Sequence, residues 1–312
     1  MTPSREGSFR LFRFAGIDVF LHWSWFLLAW YEISRRRGNY SSITWNILEY
    51  VGLFGIVLLH EFGHSLACRQ VGGQADQIVL WPLGGVAYVD PPPRPGATLW
   101  SIAAGPLVNV ALAPVFAVLL WLGRSLDPDA YALLRALSWI NFGLLVFNLL
   151  PIYPLDGGQI FRSLLWFVFG RARSLMIATV FGIVGVLGLI VVAVVLRSNF
   201  GFWPAIMCVF ILLNCWRGWE VARALSRVAN APRHEGFVCP LCKVSPPRGA
   251  YWVCGKCRTA FDTFETHAHC PNCGAQFAVT RCVDCGRSSA FEDWVLAPPV
   301  PSARSSTVPP QP

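Results

Sequence analysis

Gly52-Leu53-Phe54-Gly55-Ile56-Val57-Leu58-Leu59-His60-Glu61-Phe62-Gly63-His64 is the stretch on which the reading of the whole chain turns. An uncharged apolar run leads straight into two histidines and a glutamate. On a helix, positions i and i+4 share a face, so His60 and His64 can hold one metal ion between them. Glu61 is adjacent and can reach a water at that ion as a general base. By chance, His-Glu-x-x-His arises in on the order of one chain in a hundred of this length. The setting sharpens it. A carboxylate at mid-membrane costs about 2.5–3.5 kcal/mol on insertion scales and persists mainly where it has a task.

The composition agrees with a membrane setting. Of 312 residues, 54% are apolar and 13% are charged, and mean hydropathy is +0.49. Soluble proteins carry about 25% charged residues. Apolar runs near 17–33, 44–70, 98–122, 131–150, 174–196 and 203–225 each approach the ~20 residues a span needs. No small-residue cleavage site follows the first, so it reads as a retained span rather than a removed signal. Between the second and third runs, residues 77–81 and 86–89 are strand-like, and Pro82-Leu83-Gly84-Gly85 makes a turn.

The net charge of +8 comes almost wholly from Arg. With six spans, Arg5, Arg10, Arg13, Arg69, Arg94, Arg162, Arg171, Arg173, Arg217, Arg223, Arg227 and Arg233 fall on one side, which the positive-inside rule makes cytoplasmic. Arg35-Arg36-Arg37 falls on the other side and breaks the pattern.

A catalytic zinc usually takes three protein ligands and leaves one position open. Asp156 is the natural third, in Asn148-Leu149-Leu150-Pro151-Ile152-Tyr153-Pro154-Leu155-Asp156-Gly157-Gly158. The prolines end the preceding helix and the glycines permit a tight turn. Both motifs lie at the C-terminal ends of even-numbered spans, and so on the same side at similar depth.

Taken in order, His60 through His64, Ala104-Gly105-Pro106-Leu107-Val108-Asn109, and Asn148 through Gly158 resemble the site-2 proteases, a family of polytopic intramembrane zinc proteases. The resemblance covers roughly residues 10–225, and the hairpin with Pro82-Leu83-Gly84-Gly85 fits it. It implies zinc on His60, His64 and Asp156, with Glu61 as base, and cleavage of a transmembrane segment of another protein in regulated proteolysis. It also places Asn148 close to the site, either as a substrate or oxyanion contact or as a capping or packing amide. The hairpin is open to two readings, a strand that pairs with unwound substrate or a structural lid. No PDZ-like insertion or nucleotide-binding regulatory domain is present, and a cysteine-rich segment stands in their place.

That segment holds Cys239/Cys242, Cys254/Cys257, Cys270/Cys273 and Cys282/Cys285. Four Cys-x-x-Cys pairs predict two structural zinc sites of four cysteines each, in a segment resembling a double zinc ribbon. Chain order favours the first two pairs on one zinc and the last two on another, with interleaved pairing open. Six Lys or Arg against three acids between Phe237 and Phe291 give no argument for nucleic acid; a protein-docking or purely structural role is the expectation. His267 and His269 precede Cys270 as alternative ligands that neither four-cysteine site requires. His22 reads as interfacial or hydrogen-bonded, and Cys68 as a buried small residue.

The expectation is an α-helical polytopic membrane protein of about six transmembrane helices with a membrane-associated β-hairpin. The membrane domain spans residues 1–230, a zinc-ribbon domain spans 237–291, and a disordered tail spans 292–312. The expected setting is a bacterial inner membrane with both termini cytoplasmic. The partners are the lipid bilayer, a transmembrane protein substrate and a cytoplasmic protein on the ribbons. A non-catalytic adaptor would be free to lose Glu61, and a zinc transporter would carry more intramembrane His and Asp than this chain does.

Overall fold

The computed structural model describes residues 7–35, 38–81, 84–125, 127–195 and 202–295. Arg5, Arg36, Arg37, Pro82 and Leu83 lie outside them. The chain divides into two compact units at Arg223/Ala224.

The first unit opens on strands β1 (Ser8–Phe14) and β2 (Ile17–His22), joined by a two-residue turn. Both turn residues, Ala15 and Gly16, have positive φ (48° and 74°), the hairpin geometry that matches strand twist. Helices α1 (Ser24–Arg35) and α2 (Ile43–Gln70) follow, then β3 (Gln74–Trp81) and β4 (Gly84–Asp90). The sheet order is β1-β2-β3-β4, with β2 and β3 parallel and the outer pairs antiparallel. The hairpin expected at 77–89 is therefore present, as the outer half of a larger sheet.

The first apolar run, 17–33, is not one helix. Its start is β2 and its remainder belongs to the 12-residue α1. Ile17, Val19, Leu21, Ile78 and Leu80 form a core with Trp25 and Phe62, all at most 9% exposed. A short strand adjoining an apolar helix falls into the same hydropathy window, which averages over the alternation of Ile17, Val19 and Leu21 with Asp18 and His22.

Helices α3 (Pro95–Leu122), α4 (Pro128–Leu149), α5 (Asp156–Val195) and the part of α6 (Phe202–Asn230) up to Arg223 complete the unit. With α2, five described helices are long and apolar enough to cross a membrane. The expectation of about six spans is roughly met by five, since the first run supplies only the 12-residue α1. The run at 174–196 is the second part of α5, which breaks at Gly170 (φ 77°, ψ 171°) and whose first part reaches back to Asp156.

The polarity of this bundle is reversed relative to a soluble core. Ser101, Asn109, Ser163, Ser174 and Thr179 are fully buried, while Trp121, Trp139, Val184 and Val194 are more than 60% exposed. Apolar surface on that scale is stable facing lipid, and polar groups in lipid must find partners inside the protein.

In the second unit, four Cys-x-x-Cys turns share one backbone design. The N–H four residues after the first cysteine donates to that cysteine's carbonyl, at 2.9–3.0 Å from Lys243, Arg258, Gly274 and Gly286. All four of those residues have positive φ (60–73°), including the non-glycine Lys243 and Arg258. The pairs of short strands are β5 (Trp252–Val253) with β6 (Ala260–Phe261), and β7 (Val279–Arg281) with β8 (Ser288–Ala290).

The unit extends beyond residues 237–291 at both ends. Arg233 pairs with Asp284 at 2.7 Å, and His234 Nε2 donates to Asp262 Oδ2 at 2.9 Å. Although burial opposes it, the N–H of Gly249 and the His234 ring hold the Asp262 carboxyl below its ordinary range. Trp294, which the sequence reading puts at the start of a tail, is 1% exposed and packs on Phe264 and Cys239. Residues 292–295 of the tail expected at 292–312 are thus part of this unit, and residues 296–312 lie outside the described residues. Trp294→Ala should destabilise this unit by about 3–5 kcal/mol. Chemical denaturation checks this, and an unchanged midpoint would return Trp294 to the tail.

Candidate active site

Helix α2 presents His60 and His64 one turn apart, both buried. Asp156, the first residue of α5, meets them after the chain turns through Leu150–Leu155, and its side chain is 13% exposed. His60 Nε2 lies 3.0 Å and His64 Nε2 3.3 Å from Asp156 Oδ2, and the two nitrogens are 3.1 Å apart. Nitrogen and oxygen ligands about 2.0–2.1 Å from a tetrahedral ion sit ~3.3 Å from one another. The three atoms therefore fit one zinc ion, with their other ring nitrogens turned away from it.

Those other nitrogens are fully engaged. His64 Nδ1 donates to the Ser101 carbonyl at 2.9 Å. His60 Nδ1 donates to Asn109 Oδ1 at 2.6 Å. The Asn109 amide cannot turn over, because a second buried asparagine fixes it. Asn141 Nδ2 donates to the Asn109 backbone carbonyl at 2.9 Å, which can only accept. Asn141 Oδ1 then faces Asn109 Nδ2 at 2.8 Å, leaving Asn109 Oδ1 for His60. Both imidazoles are thereby held as the tautomer whose Nε2 lone pair points at the shared centre. Asn109 and Asn141 are 0% and 1% exposed.

The third helix must also be bare where it passes the rings. A Cβ on Gly105 would lie 2.3 Å from His64 Nε2 and 2.8 Å from His60 Nε2. At Gly157 a Cβ would stand 2.3 Å from the Leu149 carbonyl, so the turn into Asp156 also excludes side chains. Glu61 is 6% exposed, on the same buried stretch of α2. Asn148 is half-buried near the C-terminal end of α4 and has no described hydrogen-bond partner.

Of the residues expected from sequence, His60, His64 and Asp156 bring their ligand atoms together, and Glu61 lies beside them. Asn109 figures in the sequence only as part of a motif, and nothing there singles out Asn141 or Ser101. A polar residue in the middle of an apolar helix is the available signal for both asparagines. His22 instead bonds the Ser24 hydroxyl and stacks on Trp81, with centroids 4.1 Å apart. Cys68 is fully buried and directs its thiol to the Gln74 carbonyl.

In the second unit the eight cysteines fall into two groups, and the grouping differs from chain order. Cys239 and Cys242 meet Cys282 and Cys285, while Cys254 and Cys257 meet Cys270 and Cys273. The pairing is nested, neither sequential nor interleaved. Sulfurs of facing pairs are 3.8–3.9 Å apart in the outer group (Cys239 with Cys285, Cys242 with Cys282) and 3.5–3.6 Å in the inner (Cys254 with Cys273, Cys257 with Cys270). Sulfurs at about 2.3 Å from a tetrahedral zinc are ~3.8 Å apart, so both groups fit one ion each. His267 and His269 belong to neither group. A further cluster, His234, Asp262 and Glu265, is explained without metal: four N–H groups already occupy the Asp262 oxygens.

Comparison with known proteins bears on the first unit. The family model for peptidase family M50 matches residues 49–125 and 123–192. A zinc metalloprotease of Methanocaldococcus jannaschii is 37% identical over 175 residues, covering 56% of this chain and 50% of that protein. Rip3 of Mycobacterium tuberculosis, a putative zinc metalloprotease by name, is 31% identical over 167 residues, 49% of this chain and 42% of that protein. The chain thus spans half or less of the length of these curated relatives. Among solved structures, the site-2 protease from Methanocaldococcus jannaschii aligns at 28% identity with a TM-score of 0.46, covering 73% of this chain and 99% of that one. Over residues 49–192, within its membrane unit, the chain is thus similar to peptidase family M50.

Proposed function

We propose that this protein is an intramembrane zinc metalloendopeptidase that cleaves membrane-anchored proteins in or near their transmembrane segments, in regulated proteolysis. The observation that carries the reading is the convergence of His60 Nε2, His64 Nε2 and Asp156 Oδ2 within 3.3 Å of one another, beside Glu61, inside an apolar bundle. These three residues would hold the zinc ion, which when bound lowers the pKa of a coordinated water to about 7 and polarises the scissile carbonyl.

The remaining chemistry belongs to side chains of this chain. Glu61 takes the proton of the attacking water and delivers one to the leaving amine. Asn109 and the Ser101 carbonyl hold the two imidazoles in register through that proton movement. Asn148 offers an amide N–H to the developing oxyanion. A transmembrane helix hides its carbonyls in its own hydrogen bonds, so substrate must unwind locally. Strand β4 is the edge of the sheet beside α2, and an extended substrate segment can add to it as a further strand.

The location in this reading is a bacterial inner membrane; counted with α1 as the first of six spans, the arginine distribution supports both termini on the cytoplasmic side. The two cysteine groups serve as structural zinc sites, since a segment this small gains its folding energy from metal. The ribbons then offer a docking face to a cytoplasmic protein, not to nucleic acid.

Glu61→Gln should retain the catalytic zinc and lower cleavage of a co-expressed transmembrane substrate by about 10²–10⁴-fold. Undiminished cleavage by that variant would sink the mechanism. Proteomics of wild type against Glu61→Gln, searching for accumulated membrane-bound precursors, identifies the substrate.

Asn109→Leu should weaken zinc binding at this site by about 10–100-fold, while Asn109→Asp, which keeps an acceptor facing His60, should retain most of it. Chelator competition measures both, and equal losses in the two variants would reject the orienting role.

Zinc content of the isolated protein tests the nested pairing. Cys239→Ser with Cys282→Ser should remove one zinc, whereas Cys239→Ser with Cys254→Ser should remove two. Sequential pairing predicts the reverse.

A further inference from the structure

The first part of α5 ends in a feature that proteolysis does not use. Arg162 and Arg171 stand on either side of the break at Gly170, and each guanidinium carbon lies 5.8 Å from the ring centroid of Trp166. Neither guanidinium makes a hydrogen bond or an ion pair to a described residue, and the Nε atoms of both are buried without an acceptor. A buried, unpaired polar atom normally marks a partner the protein chain does not itself supply. Here two of them belong to cations gathered on one indole. Like charges held together in an apolar setting are unfavourable unless an anion joins them.

The depth of the pair can be read from its neighbours. The Phe167 ring reaches to 3.8 Å from where a Cβ on Gly96 would be, at the first turn of α3. Helix α3 has 28 residues, about 42 Å of length, and so exceeds the ~30 Å hydrocarbon core. Its first turn therefore lies in the headgroup region. That end of α3 follows directly from the β4 edge, on the side where α2 ends. Around the arginines, Leu164, Phe167 and Val168 are 51%, 60% and 76% exposed, a surface suited to acyl chains.

We propose that Arg162 and Arg171 form a binding site for the phosphate of an anionic phospholipid, in the leaflet on the side where α2 ends. Guanidinium groups match phosphate oxygens with two parallel donors each. The Trp166 ring gathers both guanidinium groups at one place. Tryptophan is at home at headgroup depth. The apolar rim selects a lipid over a soluble phosphate, because only the lipid brings chains to cover it. The site lies on the same helix as Asp156, 14 residues from it for Gly170, so an occupied site would brace the element that carries the third ligand.

The full chain, purified into detergent and reconstituted in nanodiscs of phosphatidylcholine with or without phosphatidylglycerol, tests this. Native mass spectrometry counts the lipid retained per chain, a readout that needs no turnover and is independent of the proteolytic reading. Wild type should retain phosphatidylglycerol over phosphatidylcholine, and Arg162→Gln with Arg171→Gln should cut that preference by about thirtyfold, from two basic contacts of ordinary strength. Arg162→Lys with Arg171→Lys should keep a large part of it and serves if the Gln variant does not fold. Arg223→Gln with Arg227→Gln removes the same charge elsewhere and should leave the preference intact. Equal loss in that control, or an undiminished preference in the Gln or Lys variants with no dependence on Arg162 and Arg171, would overturn the site. Displacement of the retained lipid by inorganic phosphate alone would overturn the lipid assignment.

Discussion

Everything in the membrane unit is arranged around one constraint: two imidazoles and a carboxylate must be kept polar, aligned and close together inside a bundle whose surroundings offer no water. An imidazole in that setting has two nitrogens to satisfy. The fold gives one of each pair to the shared centre and the other to a fixed acceptor, the Ser101 carbonyl for His64 and the Asn109 amide for His60. The Asn141 contacts follow from the same demand, because an amide free to flip would offer His60 either a donor or an acceptor. Gly105 completes the arrangement by removing bulk where the two rings pass the third helix. A chain of polar contacts thus runs from α2 through α3 to α4, and the apolar exterior is what makes each link valuable.

Much of the site was legible because its chemistry forces unusual residues into an unusual place. Histidine, glutamate and aspartate in apolar runs stand out against a background of leucine and valine. The asparagines obey the same logic but are less conspicuous, since an amide in a membrane helix has packing and capping roles as well. What sequence could not supply was the partnership. Asn109 and Asn141 are 32 residues apart, and only the packing of α3 on α4 reveals that one holds the other.

The fold was legible in its helices and obscured in its sheet. Runs of ~20 apolar residues translate directly into spans, because length is set by the bilayer. Residues 17–22 met the same compositional test and are a strand, because a window of span length averages over the alternation of Ile17, Val19 and Leu21 with Asp18 and His22. The break at Gly170 was hidden for the opposite reason: glycines are common in membrane helices as packing residues, and positive φ leaves no trace in composition. In the ribbon, the Cys-x-x-Cys spacing predicted knuckles, but spacing is silent about which knuckles face each other.

The nested arrangement of those knuckles has a consequence for how the ribbon comes together. The inner group joins Cys257 to Cys270 across 13 positions, the outer joins Cys242 to Cys282 across 40. Closing the longer loop from a free chain costs about 1 kcal/mol more entropy than closing the shorter one. Once the inner group is closed, most of the outer loop is already drawn in, and the difference shrinks. Assembly from the inside outward is therefore the less costly order. The outer group, which also gathers Phe264 and Trp294, then acts as a clasp over a centre already formed.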